Sequence, residues 1–317
     1  MTEKVGSVPS ASVIICTHRR PTQLARCLEV IARLRGPSFE TIVVENDSTG
    51  TGAEAIALAH SARYIHEPTP GLGRARNTGA RAATGEVVLY IDDDAEPEPE
   101  WVERMLVEFN DPKVVAVAGR IIALTDGSAD AETRACEAGF PLGGADRFVI
   151  DRGTEHWWAR AAFGGIVNGA NMAIRRSVFE RWPGFDPLLG IGAPIPGGEE
   201  GYAFLQLIDR GGRAVYAPQT VVRHPFPQTI DALEARSLHA ETTAVAYSLF
   251  LMSREPALRS RIAKYIIEAV FGVRRAWRES DDSETLPPVS RWRRWRARLA
   301  GIPLYFAAQR PGSSHGA

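Results

Sequence analysis

Between Ser12 and Ile91 the chain alternates short β-branched runs with stretches that repeat apolar residues at helical spacing. That alternation constrains the fold more than any other feature, because it builds βαβ units and a mostly parallel sheet. Ser12-Val13-Ile14-Ile15-Cys16 reads as a buried strand. After Pro21, which suits a first helical turn, Leu24, Leu28, Ile31 and Leu34 mark one face of a helix. Thr41–Val44, Arg63–Ile65 and Glu86–Ile91 read as further strands, with helices over 53–60 and 72–83 between them. In open sheets of this kind ligands bind beyond the carboxyl ends of the strands. Thr17-His18, Glu45-Asn46-Asp47 and Asp92-Asp93-Asp94 follow three such ends and are expected to face one crevice.

Downstream, the pattern predicts a helix over 101–109, a strand over 114–124, a helix near Ser177–Trp182 and another over 200–210. Two short strands are expected at Ala214-Val215-Tyr216 and Val221-Val222. Asp126 to Gly165 is glycine-rich and shows no readable period, which makes it the expected seat of specificity. From about Ile230 the signal is helical, broken by the acidic, proline-containing stretch Ser280–Pro288.

With 44% hydrophobic and 24% charged residues the chain is neither disordered nor fibrous, and a net charge of -1 supplies no global field for nucleic acid. Cys16, Cys27 and Cys136 are odd in number and scattered, which fits reduced thiols in the cytoplasm better than a disulfide framework. Neither a signal-peptide core nor a run of about 18 apolar residues is present, so the expected location is cytoplasmic, with a peripheral contact on the inner membrane face left open.

Three successive carboxylates after an apolar strand repel one another, and folding does not require them there. A hard divalent cation such as Mn2+ or Mg2+ removes the conflict and completes its shell with phosphate oxygens. The competing reading is a solvated acidic turn, supported by Glu96, Glu98 and Glu100.

Ser12–Pro21 (SVIICTHRRP), Val43–Ser48 (VVENDS), Gly71–Gly79 (GLGRARNTG) and Asp92–Asp94 resemble, in order and spacing, the blocks of family 2 glycosyltransferases with the GT-A fold. Gly169–Arg176, and Gly184-Phe185-Asp186 through Gly198-Glu199-Glu200, extend the resemblance to about Pro227. It implies an α/β GT-A domain, a Rossmann-like mixed sheet flanked by helices, over residues 1–228, its nucleotide-sugar half at about 10–120 and its acceptor half at about 121–228. A helical C-terminal extension would follow at 229–317.

The implied partners are a nucleoside diphosphate sugar and an acceptor hydroxyl. Cys16, Thr17, His18, Glu45 and Asn46 would line the base and ribose pocket, with Arg76, Asn77, Asp92 and Asp93 also on the donor. Asp94, Asp92 and His224 would hold the metal. Glu200 would act as catalytic base with Glu199 as runner-up, although two carboxylates at a helix start are also stabilised by its free amides. Trp158 and Asn171 are expected on the acceptor side. His18-Arg19 replaces the Tyr-Asn of many relatives and Glu45 an Asp, so nucleotide identity stays open.

Arg291, Arg293, Arg294, Arg296 and Arg298, interleaved with Trp292 and Trp295, suit an anionic membrane surface, or else a solvated helix packed on the catalytic domain. No module for nucleic acid accompanies them, and a homodimer is left open. A retaining transfer, a nucleotidyltransferase and a sugar-binding subunit compete with the inverting reading. Against the second stands the lack of a glycine-rich loop with Arg and Lys around Cys16–Pro21; against the third, the intact acidic residues.

Overall fold

The computed structural model describes residues 9–50, 52–164, 166, 168–270 and 289–310. Ser280–Pro288 lies outside them. Nine strands form one mixed sheet in the order β3-β2-β1-β4-β8-β6-β9-β5, with β7 also paired to β9. The strands are β1 (Ala11–Thr17), β2 (Phe39–Glu45), β3 (Arg63–His66), β4 (Val87–Asp92), β5 (Glu96–Pro97), β6 (Val114–Ala123), β7 (Phe148–Ile150), β8 (Asn171–Arg175) and β9 (Arg213–His224). β3, β2, β1 and β4 run parallel, and β8 joins β4 antiparallel. The parallel half thus ends in a seam at β4.

Both faces of the parallel half are covered, as crossover connections require. Alternation along β1 sends Val13 and Ile15 to one face and Ile14 to the other. On the first face lie α1 (Pro21–Ile31), α2 (Ala53–Ala59) and α4 (Trp101–Val107), whose Leu24, Leu28, Trp101 and Met105 are sealed from solvent. Burying each of the large side chains contributes on the order of 1.5–3 kcal/mol. Against the opposite face lie α3 (Leu72–Ala82), α6 (Trp157–Ala162), α7 (Glu199–Asp209) and the long α8 (Ile230–Arg254).

Several boundaries differ from the sequence expectation. The two short strands expected around Tyr216 and Val222 are one strand, β9. It pairs parallel with β6, with Gly119 opposite Ala217 and Arg120 opposite Val221, so Pro218, Gln219 and Thr220 bulge out. A proline and a polar pair resemble a break in the sequence, whereas the ladder resumes beyond them. The segment expected to be a helix near Ser177 is a 3-10 turn, Arg176–Glu180. The unreadable stretch from Asp126 contains α5 (Ala129–Glu137), β7 and α6.

The helical signal beyond Ile230 resolves into α8, α9 (Arg259–Val270) and α10 (Arg291–Ala308). Among the described residues no helix is long and apolar enough to cross a membrane.

Candidate active site

Cys16 lies opposite Asp92 in the parallel pair of β1 and β4, so the residues that follow both strands emerge side by side. Thr17 Oγ1 donates to Asp93 Oδ2 at 2.7 Å. Arg20 Nη1 reaches Asp94 Oδ2 at 2.9 Å and Asp93 Oδ1 at 3.3 Å. The middle aspartate is thereby turned toward β1, while its neighbours face the end of β9. There His224 Nε2 lies 3.6 Å from Asp92 Oδ2 and 3.4 Å from Asp94 Oδ1. His224 Nδ1 donates to the Pro225 carbonyl at 2.6 Å, which leaves Nε2 as the atom offered to the carboxylates.

These groups perturb one another. Burial pushes the Asp92 carboxyl up, but the His224 hydrogen bond and the Arg76 charge outweigh it and hold it below the usual range. Burial raises the Asp93 carboxyl despite Thr17 and Arg20. His224 is raised above an ordinary histidine, since Asp92, the Pro225 carbonyl and Asp94 overcome its burial.

Despite the approach of His224, Asp94 Oδ1 is buried and has no hydrogen-bond partner among the described residues, an arrangement that costs stability unless something else satisfies it. One ligand atom from each of Asp92, Asp94 and His224 lies within 4.8 Å of the others. Two carboxylates and an imidazole with its second nitrogen anchored suit Mn2+ or Mg2+, so the residues fit a divalent cation.

A buried cation connects this cluster to α7. Arg76, 2% exposed on α3, places Nη1 at 2.9 Å from Glu199 Oε1 and Nη2 at 3.8 Å from Asp92 Oδ1. Glu199 opens α7 after Gly198, whose φ of 83° a side chain would strain and whose added Cβ would lie 2.5 Å from the Tyr247 ring. Burial, then the Glu200 charge, raise the Glu199 carboxyl against the pull of Arg76. Glu200 is half-buried and accepts from Gly169 N–H at 3.3 Å. A Cβ on Gly169 would sit 2.4 Å from Arg76 Nη2 and 3.1 Å from Glu200 Oε1, so the approach needs glycine.

Other expected site residues are placed less uniformly. Cys16 is partly exposed beneath the cluster, and desolvation pushes its thiol up to about 12. His18 is exposed at the rim, its Nδ1 donating to the Asn46 carbonyl at 2.6 Å. Glu45 is buried and accepts from the Tyr64 hydroxyl at 2.6 Å.

Asn46 and Asn77 are committed to backbone. Asn46 donates to the Glu67 and Thr69 carbonyls and accepts from Gly71 N–H; Asn77 clasps the N–H and carbonyl of Phe185. Asn77 therefore secures the loop after Gly184.

Both residues expected on the acceptor side are buried. Asn171 is fully buried: it accepts from Trp101 Nε1 at 2.8 Å and donates to the Arg120 and Thr220 carbonyls at 2.9 and 2.8 Å. Its amide pins both sides of the β9 bulge and so sets the course of the strand to His224. Trp158 is 5% exposed and packs edge-on against Phe163 and Tyr265. It borders a cavity of about 430 Å³ between α6 and α9, which Arg152, His156 and Lys264 also line.

Sequence reasoning gave Arg20 and Gly169 no role of their own, and it placed Asp47 at the crevice without identifying its partner. Arg19 stood out only as a departure from a family pattern and Arg20 only as part of a family block, yet both neutralise strand-end carboxylates. Arg19 binds the buried Asp47 and, with Thr49, holds its carboxyl well below the usual range.

Comparison with known proteins is consistent with this geometry. The sequence model described as Glycosyl transferase family 2 matches residues 12–182. The pre-mycofactocin glycosyltransferase of Mycobacterium tuberculosis is 29% identical over 217 residues, 67% of this chain and 42% of that protein. The glucosyl-dolichyl phosphate glucuronosyltransferase of Haloferax volcanii is 27% identical over 222 residues, 67% of this chain and 68% of that protein. This chain thus spans about two fifths of the length of the mycobacterial relative.

Two GT-A structures share the fold. The mannosyltransferase PcManGT from Pyrobaculum calidifontis, in complex with GDP-Man and Mn2+, aligns with a TM-score of 0.56 at 18% identity, covering 97% of this chain and 78% of that one. GalNAc-T7 with UDP, GalNAc and Mn2+ aligns with a TM-score of 0.52 at 16% identity, covering 76% and 50%.

Proposed function

The chain belongs to glycosyl transferase family 2, and from that premise we propose that it transfers a sugar from a nucleoside diphosphate sugar to an acceptor hydroxyl with inversion. The observation that carries this reading is the buried Arg76, which ties the Asp92-Asp94-His224 cluster to the two carboxylates that open α7. Donor-side and acceptor-side groups thereby share one rigid junction.

Asp92, Asp94 and His224 would hold Mn2+ or Mg2+, which when bound neutralises charge on the diphosphate. Thr17 and Arg20 orient the acidic turn, while Cys16, His18 and Glu45 border the base and ribose. Glu199 is sealed against Arg76, which leaves the more accessible Glu200 to take the proton from the acceptor hydroxyl. The hydroxyl oxygen bonds to the anomeric carbon as the bond from that carbon to the phosphate oxygen breaks, and the electron pair leaves on the diphosphate. Attack opposite the leaving group inverts the centre. The chain's contribution is positioning and a prearranged field.

The nucleotides named for the two structural neighbours make GDP- and UDP-sugars the first donors to try. Thermal shift with and without Mn2+ reads donor binding, because a ligand of the native state raises apparent stability. Stabilisation that needs both nucleotide sugar and Mn2+, and a product of opposite anomeric configuration by NMR, support the reading. A retained configuration would overturn inversion, and indifference to every donor would overturn the donor class.

A further inference from the structure

α10 presents two unlike faces. The inner one packs on α8: Thr242 Oγ1 donates to the Ala297 carbonyl at 2.9 Å, and Gly301 lies so close to Thr242 and Val245 that no Cβ would fit. On the outer one Trp292, Trp295, Leu299, Ile302 and Phe306 are 70, 50, 52, 42 and 61% exposed. Their spacing of three and four residues aligns them in a single stripe away from α8.

The arginines divide in the same way. Arg293 pairs with Glu234, and Arg294 and Arg298 reach Glu241 at 3.2 and 2.7 Å, all on α8. Arg291 and Arg296 make no ion pair among the described residues and fall on either margin of the stripe. An apolar stripe with tryptophans at one end and cationic margins fits the boundary between headgroups and acyl chains.

We propose that α10 docks the protein on an anionic bilayer, lying in the membrane plane with the Trp292–Phe306 stripe immersed and Arg291 and Arg296 at the headgroups. A second copy fits less well. The stripe exposes on the order of 600 Å², short of the roughly 800 Å² per partner of a stable interface. Self-pairing would also set the cationic margins against one another. The proposal rests on α10 alone and is independent of the reaction.

Flotation of the full chain with vesicles tests it. Binding is expected to phosphatidylcholine vesicles containing phosphatidylglycerol and to weaken with salt, whereas pure phosphatidylcholine should bind poorly. Trp292→Ser with Trp295→Ser and Phe306→Ser should lower binding more than about tenfold without lowering Tm, because the replaced groups are exposed. Arg291→Glu with Arg296→Glu should weaken it through charge. Equal binding to both vesicles, no binding to either, or unchanged binding by the serine variant would overturn the proposal. So would a concentration-dependent dimer, by light scattering, that the same serines disperse.

Discussion

Arg76 and Glu199 stand 123 positions apart in sequence and meet at 2.9 Å inside the protein, both almost without solvent contact. Removing Arg76 leaves the adjacent Glu199 and Glu200 carboxyls without their buried cation, and breaking a buried pair in this way costs about 3–5 kcal/mol. Arg76→Met should therefore lower stability strongly in urea unfolding, and Glu199→Gln in that background should restore part of it. Equal stability of the single and double variants would show that the pair is not coupled.

Asp94→Asn replaces a carboxylate whose inner oxygen has no hydrogen-bond partner among the described residues. Without metal the variant is expected to be as stable as the parent or slightly more so. The Tm gain on adding Mn2+ with a donor should disappear, and calorimetry should show Mn2+ affinity reduced at least about tenfold. Undiminished Mn2+ binding would move the cation away from this cluster.

Glu200→Gln keeps the size of the side chain and removes its basicity. With the donor identified, kcat should fall about 10²–10⁴-fold with little change in donor KM. Glu199→Gln should act mainly on stability. A reversed pattern would transfer the base to Glu199.

Asn171→Ala would strand Trp101 Nε1 and two carbonyls in a sealed region. A loss of more than about 3 kcal/mol is expected in chemical denaturation. Mn2+ affinity should fall as well, because β9 loses the brace that guides His224. Full stability would return Asn171 to the list of acceptor-facing residues.

Glu40 accepts from Ser12, from Thr84 Oγ1 at 2.7 Å and from the N–H groups of Thr84 and Gly85. Burial raises its carboxyl, but the hydrogen bonds from Ser12, Thr84 and Gly85 outweigh that and hold it below the ordinary 4.5. A folded pKa below the unfolded one gives stability that is present above pH 4.5 and is lost as pH falls through the folded value. The stability gap between the parent and Glu40→Gln should accordingly shrink between about pH 6 and about pH 3; a constant gap would contradict the linkage.

The parallel half was legible in the sequence because its strands are buried on both faces and read as continuous β-branched runs, with polar residues only where each run stops. The same pattern marked the strand end at which Asp92 and Asp94 stand. The burial of Asn171 was not legible, because a buried amide and a ligand-facing one look alike without knowledge of what stands opposite. Nor could Trp158 be separated from a sugar platform, since its partner Tyr265 lies on a helix far along the chain. The bulge at Pro218–Thr220 hid the continuity of β9, a property of pairing with β6 and not of local composition. Gly169 lay in a block of the resemblance, but its need for a missing Cβ was not readable, since that arises only when Arg76 and Glu200 converge on it.

The place of β9 in the sheet also governs assembly on the ribosome. Among the described residues it is the last strand to emerge, yet it inserts between β6 and β5, both made long before. Until it arrives, the long edge of β6 offers open backbone donors and acceptors to any neighbouring nascent chain. A polypeptide stopped short of Arg213 would keep that edge permanently, so chaperone demand and aggregation should peak in this window and end when β9 docks.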